Sequence, residues 1–439
     1  MKKLVALLLT AALLLSLAGL AFAAEKTSIT LWTYPIGGWG NREIVDGILA
    51  AFNEKYPNIE VSVEYLNYTD GDVQVTTAIE SGTTPDIVME GPERLVSNWG
   101  KAGKMLDISD LWTEEALADI SAVSEAVVAA CKSPEGVYYE FPLCMTTHTM
   151  GINYEVFEKA GALQYLDQET RTWTTENFEK AMQALVDDGV AVPGIIYCGG
   201  QGGDQGTCAL AMNLYSASFT NPEHTAYTMN SEAGIKGLQK LVDMVNAGLL
   251  TADTGIAAAD ELQLFANGTS AMTLAWNAAN ASNYAANVDF TPYAMAFPTN
   301  EGNPELAGGI WGFGIFDNGD AARAEAAKEF IRFVTSDADQ GPKSVYATGF
   351  FPVRASFGDI YTGSEKESFK EFSVFMPYLG DYYSVTPNWP VQRTEWWNLL
   401  QRIFNGGDVA AEVEVYVNNA NAKLEAFRRQ MPGTCRPSL

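Results

Sequence analysis

Alternating and helical patterns of apolar residues follow one another at the start of the chain. Residues 27–33 (TSITLWT) alternate between polar and apolar positions, as a half-buried strand does. Asn41 can cap a following helix, in which Ile44 and Ile48 fall on one face. Residues 59–65 (IEVSVEY) alternate strictly and predict a second strand. Strand, helix and strand in this order predict a right-handed βαβ unit with parallel strands.

The succession of strand and helix patterns continues along the chain. Short buried strands are predicted at residues 86–89, 271–275 and 310–316, and residues 145–152 predict one crossing strand. The main helical patterns cover residues 73–81, 94–101, 176–187, 238–247, 260–266, 321–335, 395–404 and 409–427. The sequence therefore predicts an α/β fold throughout.

The N-terminal residues have the pattern of a secretory signal peptide. Lys2 and Lys3 precede an apolar run at residues 4–20, and residues 21–23 (AFA) supply the small residues of a cleavage site. We predict that residues 1–23 are removed, rather than kept as a membrane anchor, because polar residues follow at once. No cysteine lies near the predicted cleavage point. The expectation is an exported chain, periplasmic or on the cell surface, without an N-terminal lipid anchor.

Length and charge narrow the class of protein further. About 415 residues would remain after cleavage, which is long for one compact core and favours two lobes. The chain has 54 acidic and 27 basic residues, and this excess argues against nucleic acid and anionic membranes as partners. Its 47% hydrophobic residues are more than disordered chains contain.

A glycine-rich stretch at residues 198–207 (CGGQGGDQGT) suggests a phosphate-binding loop. No lysine precedes Thr207, as a nucleotide-binding P-loop requires, and Gln205 replaces the last glycine of a dinucleotide fingerprint. The loop amides could still contact a polar ligand at a helix start, with Gly202 and Asp204 as candidates. The alternative is a tight backbone passage without a ligand.

The five cysteines indicate neither a zinc site nor a redox motif, because no pair has C-x-x-C spacing. Cys198 and Cys208 flank the glycine loop and could form a disulfide, whereas buried thiols are the default for the others. The two histidines are isolated, and no metalloprotease or serine-hydrolase motif is present. The sequence therefore predicts a protein that is not an enzyme and that holds no cofactor or metal.

Several segments, in their order and spacing, resemble the extracellular solute-binding proteins of ABC importers, in the maltose-binding-protein-like, carbohydrate-type group called family 1. The marks are ITLWTY at 29, AFNEKYPNIEVSVEY at 51, SGTTPDIV at 81, GKMLDISDL at 103, YYEFPL at 138, GINYEVFEKAGA at 151, TWTTENFEKA at 172, FANGTSAM at 265 and EAAKEFIRFVTS at 325. The resemblance covers nearly the whole chain after the predicted signal peptide.

The resemblance implies a two-lobed periplasmic-binding-protein-like fold of type II, with a hinged ligand cleft. Residues 24–144 and 310–356 would form lobe one, and residues 145–309 and 357–439 would form lobe two. It implies the exported substrate-binding component of an ABC transporter, which captures a carbohydrate and delivers it to a membrane permease. We expect a monomer.

The resemblance also implies which residues contact the ligand. Tryptophans match the C–H faces of a sugar, while carboxylates and amides match its hydroxyl groups. Besides Gly202 and Asp204, the candidates are Trp39, Asn41, Glu90, Glu93, Arg94, Thr146, His148, Trp276, Asn277, Trp311, Arg354, Trp389, Arg393 and Trp396.

Two alternatives stay open at the level of the sequence. The same fold could bind glycerol 3-phosphate or another anionic polyol, for which Arg42, Arg94, Arg354 and Arg393 are the candidate cations. A secreted glycosidase would need a placed pair of carboxylates, such as Glu90 and Glu93.

Overall fold

The structure is a computed structural model and describes residues 26–67, 70–199, 205–284, 286–387 and 389–430. The predicted signal peptide, Gly202, Asp204 and Cys435 therefore lie outside the described residues. Within these ranges, no helix combines the length and the apolar character that crossing a bilayer requires.

The strands of the described residues form three sheets. The largest has six strands in the order β11-β4-β10-β3-β1-β2, and the others have the orders β8-β5-β9 and β6-β7. In chain order the strands are β1 Thr27–Thr33, β2 Ile59–Tyr65, β3 Ile87–Glu90, β4 Phe141–Thr147, β5 Met150–Asn153, β6 Ile195–Tyr197, β7 Thr251–Asp253, β8 Met272–Thr273, β9 Pro292–Met295, β10 Gly308–Ile315 and β11 Phe351–Pro352.

Helices surround these sheets, which confirms the predicted α/β class. In chain order they are α1 Arg42–Lys55, α2 Gly71–Ser81, α3 Pro92–Arg94, α4 Glu114–Ser121, α5 Glu125–Ala130, α6 Tyr154–Lys159, α7 Thr175–Asp187, α8 Gln205–Asn213, α9 Glu232–Asn246, α10 Ala258–Ala266, α11 Ala278–Tyr284, α12 Ala321–Ser336, α13 Gln340–Thr348, α14 Trp389–Phe404 and α15 Val409–Gln430. The described residues also include 3-10 segments, the longest of them Glu367–Tyr378, and one π-helical segment, Leu95–Gly100.

The predicted βαβ unit is present, since β1 pairs in parallel with both β2 and β3. The parallel arrangement ends there, because β10 lies between β3 and β4 and runs antiparallel to both. Both β3 and β4 are buried along their full length, as strands covered on two faces are.

The chain passes from the large sheet to the second sheet at His148 and Thr149. The single strand predicted at 145–152 is thus two strands, because β4 ends at Thr147 and β5 begins at Met150. Thr149 holds this link by accepting a hydrogen bond from the Trp276 backbone N–H at 2.9 Å. The chain returns where β9 is followed by β10, which begins at Gly308.

Three local predictions differ from the structure. The strand predicted at 271–275 is reduced to Met272–Thr273. The helix predicted at 94–101 is mostly π-helical, with Leu95 to Gly100 wound more widely than an α-helix. Cys198 and Cys208 are buried thiols and form no disulfide with each other.

Candidate ligand cleft

A cavity of about 410 Å³ lies beside the link between the sheets. One wall comes from α2, α3 and the start of β10, and the other from residues 382–387, from α14 and from the end of α15. The lining residues are Asp72, Glu93, Arg94, Ser97, Asn98, His148, Gly308, Gly309, Trp311, Tyr382, Ser384, Thr386, Pro387, Trp389, Arg393 and Phe427.

A larger cavity, of about 690 Å³, lies at the opposite ends of the same strands. Its lining includes Pro85, just before β3, and Phe316, just after β10. The smaller cavity instead adjoins Glu90, at the carboxyl end of β3. We take the smaller one as the candidate site because ligands of open α/β sheets bind outside the carboxyl ends of the strands.

The second wall of the cavity belongs to helices that pack on the smaller sheets. In α14, the indole N–H of Trp396 donates to the Thr207 hydroxyl at 3.2 Å, and Gln401 donates to the Cys198 carbonyl at 3.2 Å. In α15, Asn421 exchanges hydrogen bonds with the backbone of Tyr227 at 2.8 and 3.1 Å. Contacts with α8, with Tyr227 and with the residue after β6 therefore hold the second wall in place.

Arg94 is the centre of a charged network on the first wall. Its Nε and Nη2 donate to the two carboxylate oxygens of Asp72 at 2.8 and 3.1 Å, a bidentate pair. Its Nη1 donates to Glu90 at 3.2 Å and lies 3.5 Å from Glu93. The Tyr34 hydroxyl donates to Asp72 at 2.7 Å and so helps to orient the carboxylate that pairs with Arg94.

The carboxyl groups of this wall respond differently to their surroundings. Burial acts to raise the pKa of Asp72, but the hydrogen bond and charge of Arg94 outweigh it and lower that pKa. Burial, followed by the charge of Glu93, raises the pKa of Glu90 to about 8. Burial also raises the pKa of Glu93, although the charge of Arg94 opposes it. The two glutamates are therefore more easily protonated than exposed ones.

Aromatic rings and one imidazole form much of the remaining lining. Trp311 is stacked on Phe350 with ring centroids 4.6 Å apart, and it is partly exposed. Trp389 packs against Tyr383 at 4.7 Å between centroids. Burial lowers the pKa of His148 to about 4, so this imidazole is neutral at pH 7.

The structure brings six of the predicted ligand residues to the cavity: Glu93, Arg94, His148, Trp311, Trp389 and Arg393. Glu90 lies directly behind them as a partner of Arg94. The other ten lining residues, among them Asp72 and Tyr382, were not among the predicted ligand residues. Neither of these two belongs to a sequence motif that would have identified it.

Three tryptophans predicted to contact ligand are core residues in the structure. Trp39 is fully buried, and its indole N–H donates to the Ser344 carbonyl at 3.1 Å. Trp276 is 2% exposed and meets Phe265 edge-on. Trp396 is fully buried against Phe219 and Tyr416. Each ring fills the interior of a packed layer, where a ligand does not reach it.

Four other predicted ligand residues have structural partners away from the cavity. Asn41 and Asn277 cap helices, accepting from the backbone N–H groups of Glu43 and Asn280 at 2.9 Å each. Thr146 is buried within β4. Arg354 is buried and pairs with Asp119 at 3.1 Å and Ser336 at 2.9 Å.

No group of three or more metal-ligating side chains is arranged to hold an ion in the part of the chain that the structure describes.

Comparison with known proteins identifies a family. The sequence profile of the family described as bacterial extracellular solute-binding protein matches residues 39–341. A search of curated protein sequences found no significant match.

Solved structures with a similar fold span almost the whole chain. The cyclic alpha-maltosyl-1,6-maltose binding protein of Arthrobacter globiformis is 19% identical, covers 91% of this chain and 100% of its own, and has a TM-score of 0.72. The sugar-binding protein MalE of Xanthomonas citri is 15% identical, with coverages of 93% and 100% and a TM-score of 0.72. An ABC substrate-binding protein of Listeria monocytogenes, solved with cycloalternan, is 19% identical, with coverages of 91% and 99% and a TM-score of 0.65. At these identities the likeness establishes the fold, and it confirms the predicted two-lobed α/β architecture.

Proposed function

The chain belongs to the bacterial extracellular solute-binding protein family, and we propose that it captures a carbohydrate in the cleft beside His148 and hands it to the membrane permease of an ABC transporter. Among the proteins of similar fold, one is named for binding cyclic alpha-maltosyl-1,6-maltose, one is named as sugar-binding, and one was solved with cycloalternan. In this proposal the chain works as an exported monomer and does not change its ligand chemically. The predicted lobe boundaries are part of the same proposal.

The composition of the cleft lining carries the proposal. Trp311, Tyr382 and Trp389 present aromatic surface, and Glu93, Asp72 and neighbouring polar groups offer hydrogen bonds in the same cavity. A sugar combines apolar C–H faces with a ring of hydroxyl groups, and it needs both kinds of partner once it leaves water.

Of the four arginines named for the anionic-polyol alternative, Arg94 and Arg393 line the cavity, and the other two do not. Arg354 is paired outside the cavity, and Arg42 lies over the ring of Tyr65, 5.1 Å from its centroid. Arg94 lines the cavity, but its charge is shared by three carboxylates. An incoming phosphate would meet Asp72 and Glu93 on the same wall.

The geometry of Glu90 and Glu93 does not support the glycosidase alternative. Glu90 and Glu93 contact the same guanidinium nitrogen, Nη1 of Arg94, and Glu90 is 1% exposed. Two carboxyl groups that flank a glycosidic bond must both face the sugar and be separated by it.

A thermal-shift screen tests the proposed function. Maltotetraose, a cyclic tetrasaccharide of glucose and glycerol 3-phosphate are the probes, and a ligand at 100 times its Kd stabilises the fold by about 2.7 kcal/mol. We expect a sugar to raise the melting temperature, and Trp311→Ala to remove most of that shift. Trp32→Ala, in the larger distal cavity, is the matched control and should retain it. A shift caused only by glycerol 3-phosphate, or recovery of a hydrolysed sugar, contradicts the proposal.

A further inference from the structure

The first wall of the cleft holds more carboxyl groups than cations to neutralise them. Asp72, Glu90 and Glu93 all contact Arg94, at 2.8, 3.2 and 3.5 Å. The single guanidinium of Arg94 is therefore the shared partner of three carboxyl groups. Arg393 also lines the cavity, from α14 on the opposite wall, and His148 is neutral at pH 7.

A fourth acid lies behind these three. Glu140 is fully buried, and neither of its carboxylate oxygens has a hydrogen-bond partner among the described residues. Glu140 directly precedes β4, whose partner β10 also pairs with the strand that ends at Glu90. Burial, followed by the charges of Glu93 and Glu90, holds the pKa of Glu140 well above its ordinary value.

Glu93 is the member of this group that a ligand can reach. Its side chain is 27% exposed and lines the cavity, whereas those of Glu90 and Glu140 are buried. One oxygen faces Arg94, and the other accepts from the Tyr382 hydroxyl at 3.2 Å. A carboxylate offers about four acceptor sites, so Glu93 retains capacity for a further donor.

The aromatic lining favours the same kind of ligand. Trp311, Tyr382 and Trp389 share the cavity with Glu93. The faces of such rings attract cations as well as C–H groups. A cationic group on a sugar would thus meet a carboxylate and aromatic rings in one place.

We propose that the carbohydrate taken by this cleft carries a basic amino group, whose ammonium binds Glu93 beside the aromatic lining. This inference rests on the proposed function and narrows its substrate class to amino sugars. An ammonium group would favour the ionised form of Glu93, which a neutral sugar does not do.

Isothermal titration calorimetry on the intact chain tests the proposal with sugars of matched backbone. The probes are the β-1,4-linked tetramers of glucosamine, N-acetylglucosamine and glucose, together with maltotetraose and its 1-amino-1-deoxy derivative. We expect at least one amine-bearing sugar to bind about tenfold or more tightly than its neutral counterpart at pH 7, as a charge-assisted hydrogen bond implies. Added salt should reduce the difference.

Variants separate the role of Glu93 from general effects. Glu93→Gln should lose about tenfold in affinity for the amine-bearing sugar while keeping its affinity for the neutral one. Glu64→Gln, an exposed carboxylate on β2, is the matched control and should change neither affinity. If Glu93→Gln does not fold, the comparison of paired sugars on the unmodified chain still decides.

The outcomes distinguish the two proposals. Neutral sugars that bind as tightly as their aminated counterparts overturn the amino-sugar inference and leave the proposed function intact. Binding of glycerol 3-phosphate alone, or of no sugar in the panel, overturns both.

Discussion

The indole of Trp276 lies edge-on against the ring of Phe265, with centroids 5.3 Å apart. Gly151 makes room for it, because a Cβ at that position would lie 2.7 Å from the Cβ and Cγ of Trp276. Trp311, by contrast, stacks on one ring and leaves part of its surface to the cleft. Both tryptophans were predicted to contact a sugar, but Trp276 is packed in the core and Trp311 partly faces the cleft.

Replacing Trp276 tests this difference. Trp276→Ala should lower the free energy of unfolding by about 3–5 kcal/mol, because a large buried ring is lost and a cavity remains. Urea denaturation measures the change. Trp311→Ala is the comparison, and it should cost less stability while weakening ligand binding. Trp276 would instead be a ligand contact if its variant kept its stability and lost binding.

Glu261 offers a second test at the scale of a residue. Its carboxyl is fully buried, accepts from Thr273 at 2.7 Å and from the Leu274 N–H at 3.1 Å, and its pKa is raised by burial to about 8 from an ordinary 4.5. Between these pH values the folded chain holds a proton that the unfolded chain has released. The free energy of unfolding should therefore fall as pH rises from 5 to 9, by up to about 1.4 kcal/mol per pH unit for this group.

Glu261→Gln removes that titrating group and should flatten the fall in stability with pH. Chemical denaturation at several pH values provides the measurement. Glu90, whose pKa is also raised to about 8, should leave a residual slope in the variant. An unchanged slope in Glu261→Gln would show that this carboxyl is already ionised in the fold.

At the scale of elements, helix α12 depends on the residue that caps its N-terminus, Asp320. Asp320 accepts from the backbone N–H groups of Ala322 and Arg323 at 3.0 and 3.1 Å. The helix then packs Phe330 and Phe333 against Phe52 of α1, at 5.1 and 5.4 Å between ring centroids. The cap therefore fixes where a core-forming helix begins.

Removing this cap should have a moderate cost. Asp320→Ala should lower the free energy of unfolding by about 1 kcal/mol, because two N–H groups lose their acceptor. Asp320→Asn keeps an acceptor and should cost little, as thermal denaturation of the two variants can show. Equal losses in both would mean that the carboxylate charge, and not the hydrogen bonds, stabilises the helix start.

The sequence predicted local elements better than their arrangement. Alternation and capping residues identified β1, β2 and α1, because these patterns depend on neighbours in the chain. A strand at residues 310–316 was predicted, but its antiparallel position between β3 and β4 was not. This position depends on pairs such as Gly312 with Glu90, which are far apart in the sequence. Periodicity carries no information about such pairings.

Because the sequence pattern does not show tertiary contacts, only some of the predicted site residues line the cavity. Charged residues after β3 were expected near the ligand, and Glu93 and Arg94 do line the cavity. Trp39, in a glycine-rich turn, gave an equally good signal and is buried in the core. Aromatic residues suit both a core and a sugar site, and only tertiary packing separates the two.

At the scale of the whole molecule, the two walls of the cleft are connected beside the cavity. The Tyr382 hydroxyl of the second wall donates to Glu93 at 3.2 Å, and the chain crosses between sheets at His148 and Thr149. Parts joined in this way can rotate about the connecting segments when a ligand fills the space between them.

Small-angle X-ray scattering tests this motion. A bound sugar at saturation should reduce the radius of gyration relative to the ligand-free chain, because it contacts both walls and favours the closed arrangement. Trp311→Ala, measured at the same sugar concentration, should remain close to the ligand-free value. An identical radius with and without bound sugar would indicate a cleft that does not close.

The thiols are buried only after the chain has folded, and this has a consequence for the unfolded chain. Cys131, Cys144 and Cys198 are fully shielded, and burial raises the pKa of Cys198 to about 12, so the reactive thiolate is suppressed. Outside the cell the surroundings oxidise thiols, and an extended chain presents every sulfur to them. Correct maturation therefore requires that the chain folds faster than its thiols form incorrect disulfides. Once packing is complete, the rate at which a thiol reagent labels these residues measures how often each lobe opens.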